Sequence, residues 1–287
     1  MILKFTKKIV DEGTQEGLNP LYIRSSIKEY LQILVLYFIY TNKHYKGRYI
    51  FTGGTCLRHF FGLERLSEDL DFDTVGKVNT KDLAHGLNDF FTKELQFGDI
   101  SISVKQQGKQ VLLKFPVLMQ LGPADPGESD YLYIKCDIEP AIGSSYKTIL
   151  SSKTAHGYSF VALHYDLRSL FAGKIVAILT RNLLTGKQDR QTIKGRDFYD
   201  LLWFLKHGTP VNLELVRERL GETTLSLSDL QARITAKVNR ATTKFTTDFK
   251  NDLLPFIAST SFLDDYVDNY ESEFRRYNLT ADASEQQ

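Results

Sequence analysis

The most informative part of the chain is residues 51–74, FTGGTCLRHFFGLERLSEDLDFDT. It begins at the end of a short apolar strand, Tyr49 to Thr52, and passes through two adjacent glycines into a helical segment, Cys56 to Phe61. It ends in Leu70 to Thr74, where apolar and acidic residues alternate as they do in a half-buried strand. The order of strand, glycine turn, helix and acidic strand predicts one compact supersecondary unit.

The acidic strand offers ligands for a metal ion. Side chains point alternately to the two faces of a strand, so Asp69, Asp71 and Asp73 share one face. Leu70 and Phe72 then point into the core. Two carboxylates at i and i+2 are the hard oxygen ligands that Mg²⁺ accepts alongside water and phosphate oxygens. An acidic strand face alone is more often simply solvated.

Gly53, Gly54 and Thr55 lie between the first strand and the helix. Backbone N–H groups without bulky side chains can approach a phosphate there, and the N-terminus of a helix favours an anion. A Gly-Gly pair alone more often marks an ordinary turn. Together with the acidic strand, the pair predicts a phosphate cradle beside a metal site.

These residues resemble a known family. Two glycines, fourteen residues and then DLD, after a strand and a short helix, are similar to the signature of the polymerase-β-type nucleotidyltransferase superfamily. The longer stretch of sequence around these residues resembles the AbiEii/MenT branch of this superfamily, the nucleotidyltransferase toxins of bacterial toxin–antitoxin and abortive-infection systems. The residues that match the branch pattern GGT-x-L-R and R-x-S-x-D-L-D-F are Gly53, Gly54, Thr55, Leu57, Arg58, Arg65, Ser67, Asp69, Leu70, Asp71 and Phe72.

The chain is expected to contain two domains. Strand patterns and Gly/Pro punctuation become rare after about residue 160, where the apolar period becomes helical. We therefore predict an α+β domain over residues 1–160, a helical domain over residues 161–278 and a flexible tail over residues 279–287. The resemblance implies that the first is a polymerase-β-like nucleotidyltransferase domain with a mixed sheet.

The resemblance also implies roles for the motif residues. Asp69 and Asp71 would be catalytic and would hold Mg²⁺ or Mn²⁺. The backbone of Gly53, Gly54 and Thr55 would cradle the triphosphate of an NTP. The residues implied to contact or neutralise phosphate are Arg58, Arg65, Ser67 and Lys174.

A third acid generally stands on a neighbouring strand in this superfamily, between apolar residues. The strand predicted from Tyr131 to Glu139 offers Asp137, within Cys-Asp-Ile, and Glu139, next to Pro140. Asp137 fits the triplet best as a metal ligand or proton acceptor, and Glu139 remains the alternative. A solvated row of charges is the competing explanation.

Lys174 lies among apolar residues in a helix predicted from Asp166 to Leu184. At 100° per residue, Leu170, Phe171 and Ile178 share its side of the helix. A lysine there needs an anion, or it must extend to the surface. The resemblance implies a required lysine that serves nucleotide phosphates. A neutral side chain of similar length is expected to fit without loss of stability.

The segment KGRDFYDLLWFLKHG, residues 194–208, places Asp197 and Asp200 in the first turn of an apolar helix. Carboxylates there complement the helix dipole, and Arg196 can pair with Asp200 at i,i+4. The family has an R-D-x-x-D motif here, which implies that Asp197 acts indirectly, by fixing Lys174 or the nucleotide. The basic stretch Gly186 to Arg196 could guide RNA, although an exposed charged loop is the commoner explanation.

Composition narrows the function classes. The 287 residues include 36 Lys plus Arg and 35 Asp plus Glu, so the net charge of +1 excludes nucleic-acid binding by bulk charge but not a local basic groove. Two cysteines without CxxC argue against a disulfide scaffold and a zinc ribbon, and favour a reducing cytosol. The apolar run Tyr30 to Tyr40 is shorter than the roughly 20 residues of a membrane span and predicts a buried helix.

The expected function is that of a cytoplasmic, metal-dependent nucleotidyltransferase toxin. The resemblance implies transfer of NMP from an NTP to RNA, with the tRNA 3′ end as the expected acceptor, release of pyrophosphate, and a cognate antitoxin. One alternative is transfer to a small molecule such as an antibiotic, which the near-zero charge fits equally well. Another is a non-catalytic binding module, against which the intact Asp69-Leu70-Asp71 counts.

Overall fold

The computed structural model describes residues 2–121, 129–181, 183–185 and 190–281. The chain divides into two compact units, one formed by Met1–Ala141 and Thr148–His164, the other by Ile142–Lys147 and Tyr165–Gln287. Two predicted features, residues 186–189 of the basic stretch and residues 282–287 of the tail, lie outside the described residues.

The first unit contains a seven-stranded mixed sheet, with the strand order β3-β4-β5-β2-β1-β7-β6. In chain order its strands are β1 (Tyr49–Thr52), β2 (Leu70–Thr74), β3 (Ser101–Lys105), β4 (Gln110–Pro116), β5 (Tyr131–Pro140), β6 (Thr148–Ala155) and β7 (Tyr158–Tyr165). The pairs β1–β2, β3–β4 and β4–β5 are antiparallel, whereas β2–β5 and β1–β7 are parallel. The mixed sheet confirms the predicted α+β class.

The helices of this unit are α1 (Ile2–Gln15), α2 (Pro20–Thr41), α3 (Gly53–Phe60), α4 (Thr80–Asp89) and α5 (Leu118–Leu121). Asn19 caps α2 by accepting a bond from the backbone N–H of Leu21 at 2.8 Å. From Tyr30 to Tyr40 every side chain of α2 is buried except that of Tyr37, as the apolar run predicts. No described helix has both the length and the apolar character to cross a membrane.

The second unit contains the helices α6 (Leu167–Thr180), α7 (Gly195–Lys206), α8 (Leu213–Leu220), α9 (Leu227–Thr243), α10 (Thr246–Leu253), α11 (Thr260–Asp268) and α12 (Tyr270–Phe274). The prediction that α6 reaches Leu184 is wrong. The backbone becomes extended at Arg181, and β8 (Leu183–Thr185) then pairs antiparallel with β9 (Arg190–Thr192). Apolar leucines continue past the helix end, and periodicity alone does not separate a short strand from a further helical turn.

The segment Ile142–Lys147 is bound into the second unit by α8. The backbone N–H groups of Ser144 and Ser145 donate to the Glu218 carboxylate at 2.9 and 3.1 Å. The two serine hydroxyls donate to the same carboxylate at 3.0 and 2.9 Å. Four bonds to one charged group fix this short connection, which the sequence pattern did not single out.

Candidate active site

The acidic strand β2 lies beside β5, and the register of this parallel pair places Asp71 opposite Asp137. Exposure alternates along both strands: Leu70 and Phe72 are buried on β2, and Cys136 is buried on β5. The carboxylates therefore point to the opposite side from the core, as predicted. We call Asp69, Asp71 and Asp137 the acidic face.

Two neighbours hold the acidic face. The Lys135 ammonium lies 3.8 Å from Asp69, and the Gln110 side-chain amide donates to Asp137 at 2.7 Å. Negative charge is concentrated here. Burial raises the pKa of the Cys136 thiol, and the charges of Asp137, Asp69 and Asp71 raise it further. Among the described residues, no three acidic, histidine or cysteine side chains are gathered into a metal site. The metal-ligand role of the acidic face stays a prediction.

The alternative third acid, Glu139, is placed differently. It lies opposite Asp73 in the register and forms an exposed ion pair with Lys109 at 3.0 Å. Asp137 instead stands next to Asp71, on the strand position that the apolar-acid-apolar triplet predicts. The register therefore favours Asp137 over Glu139.

The glycine turn touches the acidic face directly. Helix α3 begins at Gly53, immediately after β1, so both glycines form its first turn rather than preceding it. Gly53 has a φ of +77°, and a Cβ atom added there would overlap Oδ2 of Asp71. Thr52, the residue that caps this helix, gives its first turn no side-chain hydrogen bond. Only glycine combines this left-handed backbone with such a close approach to a carboxylate.

Replacing Gly53 by alanine tests this contact. We expect Gly53→Ala to destabilise the fold by about 1–2 kcal/mol through its left-handed backbone. Displacement of Asp71 should lower nucleotidyl transfer by about 10²-fold. Gly62→Ala is the matched control, because Gly62 has a φ of +79° and nothing within 4 Å of its added Cβ. Chemical denaturation and transfer rates should show similar destabilisation in both variants but lost activity only in Gly53→Ala; equal activities would contradict the assignment.

Thr55, Arg65 and Ser67 form the support of the turn. The Thr55 hydroxyl donates to the Asp69 carbonyl, which ties α3 to the start of the acidic strand. A Cβ on Gly54 would lie 2.6 Å from a guanidinium nitrogen of Arg65 and 3.1 Å from the Ser67 hydroxyl. Arg65 is 1% exposed and donates to the Leu66 carbonyl at 2.8 Å. Arg65 and Ser67 therefore pack against Gly54.

Gln32 is a supporting residue that the sequence interpretation missed. Its buried side-chain amide, on α2, donates to the carbonyls of Ser67 and Glu68 at 2.9 and 3.0 Å. A buried amide costs free energy unless it is hydrogen-bonded, so these bonds hold in place the residues that lead into β2. The signal was available, since Gln32 is the one amide in the apolar run of residues 30–40.

Arg58 has internal partners in the structure. Its guanidinium lies 2.6 Å from the Glu29 carboxylate and donates to the carbonyls of Leu63 and Glu64 at 3.1 and 3.0 Å. These bonds join α2 and α3 to the loop that leads into the acidic strand. The predicted contact between Arg58 and a phosphate stays a prediction.

The predicted residues of the second unit form one charged cluster. The Lys174 ammonium lies 2.7 Å from Asp200 and 3.3 Å from Asp197, and Arg181 donates to Asp197. The carboxylates are 0% and 3% exposed, whereas Lys174 is 14% exposed. Lys174 thus meets an anion instead of extending alone to the surface. We call Lys174, Arg181, Asp197 and Asp200 the lysine cluster.

Asp197 is held in its charged form. Burial alone would raise its pKa, but the charges of Lys174, Arg181 and Lys194 lower it to about 2, from an ordinary value of 3.8. The folded-state pKa lies below the unfolded-state value, so the unfolded chain binds more protons between them. The stabilisation is therefore present above this window and disappears as the pH falls through it.

An Asp197→Asn variant should reveal this stabilisation. At neutral pH we expect it to unfold more easily than the natural protein. The difference should shrink by about 2–3 kcal/mol between about pH 5 and pH 2, the amount that corresponds to the lowered pKa of Asp197. Urea unfolding across this range measures it. A difference that does not change with pH would show that the ion pairs of Asp197 contribute nothing to stability.

Arg196 binds a carboxylate outside its own helix. Its backbone N–H donates to Asp252 at 2.9 Å, and its guanidinium lies 3.3 Å from the same carboxylate and over the Phe256 ring at 4.3 Å. Asp200 binds Lys174. The two acids of the R-D-x-x-D motif thus serve the lysine, while its arginine anchors α7 to residues near α10.

Known families and solved structures resemble this chain. Residues 36–277 match the family described as nucleotidyl transferase AbiEii toxin, type IV toxin–antitoxin system. MenT4, a nucleotidyltransferase toxin from Mycobacterium tuberculosis H37Rv, is 13% identical with a TM-score of 0.55, with 98% of this chain and 91% of that chain covered. The JHP933 protein of Helicobacter pylori is 17% identical with a TM-score of 0.46, covering 88% of this chain and 90% of its own. No curated protein sequence matches this chain significantly.

These findings confirm the predicted family and fold. The likeness to MenT4 supports the α+β fold, and the family match includes the acidic strand, β5 and the helix of Lys174. Membership implies a nucleotide substrate and an antitoxin partner. The chain belongs to the AbiEii family of nucleotidyltransferase toxins of type IV toxin–antitoxin systems.

Proposed function

We propose that this protein transfers NMP from an NTP to RNA, with tRNA as the acceptor, in a reaction that depends on Mg²⁺ or Mn²⁺. The observation that carries the proposal is the register of β2 and β5, which places Asp71 beside Asp137, with Gly53 against Asp71. A carboxylate pair on rigid strands next to a glycine turn combines the parts that nucleotidyl transfer requires.

The donor set of the acidic face fits a magnesium ion in its chemistry. Its donor atoms are carboxylate oxygens, which Mg²⁺ and Mn²⁺ prefer. Asp71 lies on β2, and Asp69, two residues earlier, directly precedes that strand. We propose Asp69, Asp71 and Asp137 as its ligands. When bound, the metal would neutralise charge on the phosphate oxygens.

The chain's own residues would align the reactants. The first turn of α3 presents backbone N–H groups that can bind the triphosphate, and Gly53 permits the phosphate to approach the acidic face. The acceptor hydroxyl attacks the α-phosphorus, a new phosphorus–oxygen bond forms, and the bond to pyrophosphate breaks. We propose that Asp137, oriented by Gln110, accepts the proton of the attacking hydroxyl.

The three cations are proposed to act in two ways. Lys174, which already binds carboxylates, is a cation suited to neutralise charge on the nucleotide, and Asp197 is proposed to position it. Arg58 and Arg65 are engaged with internal carbonyls and with Glu29, so we propose that they act by holding the glycine turn and its flanking loop in place. Ser67 contacts the turn and remains a proposed phosphate ligand.

The acceptor separates this proposal from its alternatives. RNA follows from the family resemblance, and both RNA and NTP are cytoplasmic compounds, so we propose that the reaction takes place in the cytoplasm. A small-molecule acceptor is the second candidate, because the net charge of +1 does not require a polyanion.

The test is incubation of the purified protein with each α-labelled NTP, Mg²⁺ or Mn²⁺, and total RNA. We expect label in RNA, and in the tRNA fraction on a sizing gel, with one NTP preferred. Label in a small product supports the second candidate, and absence of transfer with every NTP and both metals would overturn the proposal. Omitting the metal is the control.

A further inference from the structure

The second unit contains a basic pocket beside the lysine cluster. It is a small hollow, partly open to solvent, between α6, β9, α7 and α9. The charged side chains among its described lining residues are Arg181, Lys194, Lys237, Arg240 and Asp197. The single carboxylate already binds Lys174 and Arg181. Positive charge therefore exceeds negative charge in this pocket.

Lys194 shows the effect of this excess. Its pKa is lowered by burial and then by the positive charges of Arg196 and Arg181, and the charge of Asp197 offsets only part of this. Like charges held together in a partly desolvated hollow raise the free energy of the empty pocket. A bound anion would relieve this repulsion.

A second hollow continues from the first and shares Lys237 and Arg240 with it. Arg233 also lines this hollow, where it pairs with Glu222 at 2.8 Å. On α9 the three cations stand at i, i+4 and i+7, so they occupy one side of the helix and span roughly 10 Å along it. A cationic row of this length is longer than one phosphate group and suits successive phosphates of a strand.

We propose that the basic pocket and its continuation along α9 bind the phosphate backbone of the acceptor RNA. The residues assigned to this contact are Lys194, Lys237 and Arg240. The Arg240 guanidinium lies 5.4 Å from the centroid of the Phe245 ring, and this contact holds the arginine at the pocket wall. The assignment of RNA as the anion rests on the proposed function. The local excess of positive charge provides the attraction for RNA that the net charge of +1 does not.

The test measures binding without catalysis. A short fluorescein-labelled single-stranded RNA is titrated with the full chain, without NTP or metal, at several salt concentrations. For Lys237→Gln/Arg240→Gln we expect affinity to fall about tenfold or more. The slope of log K against log salt should become shallower by about 1.4, since each phosphate contact on a single strand contributes about 0.7. Arg275→Gln/Arg276→Gln removes the same charge from exposed positions of the same unit and should bind RNA like the natural protein.

A second measurement identifies the source of the phosphate. The thermal stabilisation by NTP should be the same in the pocket variant and the control. If the pocket variant keeps its RNA affinity but loses its response to NTP, the pocket binds the nucleotide and the RNA assignment is overturned. Equal RNA binding by both variants also overturns it, even where transfer to RNA is observed. Pocket-dependent RNA binding by a protein that transfers nothing would support the pocket and reject the proposed function.

Discussion

Asp71→Ala is expected to lower nucleotidyl transfer by about 10³-fold or more while the protein remains folded. Asp71 lies opposite Asp137 on the acidic face and against Gly53, whereas the core of β2 is formed by the buried Leu70 and Phe72. The variant therefore removes a carboxylate of the site without opening a cavity. A proposed metal ligand stabilises charge in the transition state by several kcal/mol.

Asp73→Ala is the matched control for this prediction. Asp73 has the same charge on the same face of β2, but the register places it opposite Glu139, two positions beyond the pair of Asp71 and Asp137. We expect Asp73→Ala to retain transfer activity. Equal expression of both variants in bacteria adds a second readout: growth arrest should persist with Asp73→Ala and vanish with Asp71→Ala. Near-natural turnover by Asp71→Ala would remove Asp71 from the site.

Lys174→Met is expected to destabilise the protein and to inactivate it. The change leaves Asp200 and Asp197 buried without the ammonium that lies 2.7 and 3.3 Å from them. Breaking a buried ion pair by removing one partner costs about 3–5 kcal/mol, so the expectation that a neutral side chain would preserve stability is withdrawn. Transfer should fall by about 10²-fold or more if Lys174 neutralises phosphate charge.

A second variant separates these two effects. Lys174→Met/Asp200→Asn removes the carboxylate closest to Lys174 together with the lysine, so it should recover most of the lost stability in a urea titration. Its transfer rate should stay as low as that of the single variant. Recovery of activity along with stability would show that Lys174 has only a structural role.

Much of the acidic site could be predicted because its pattern is local. Alternation along Leu70–Thr74 determines which side chains share a face, and the structure has the predicted strand with the same bounds. The strand of Asp137 was found for the same reason. The motif that carried the family resemblance lies in this continuous stretch, so the family followed from it.

The partners of the site residues were harder to predict, because they come from distant parts of the chain. Gln32 supports Ser67 across 35 positions, and Gln110 orients Asp137 across 27. Arg196 on α7 binds Asp252 across 56 positions. A local pattern shows which residues are neighbours on one helix or strand. It contains no information about which side chain of another element contacts them.

The sequence by itself determined the acidic strand, the glycine turn, the buried helix of residues 30–40 and the apolar surroundings of Lys174, since each depends on periodicity within one element. Only the tertiary structure decided that Asp137 rather than Glu139 stands beside Asp71, and that Lys174 binds Asp197 and Asp200. It also decided that Lys194, Lys237 and Arg240 share a pocket. These outcomes depend on strand register and helix packing, which bring together residues separated by tens of positions in the chain.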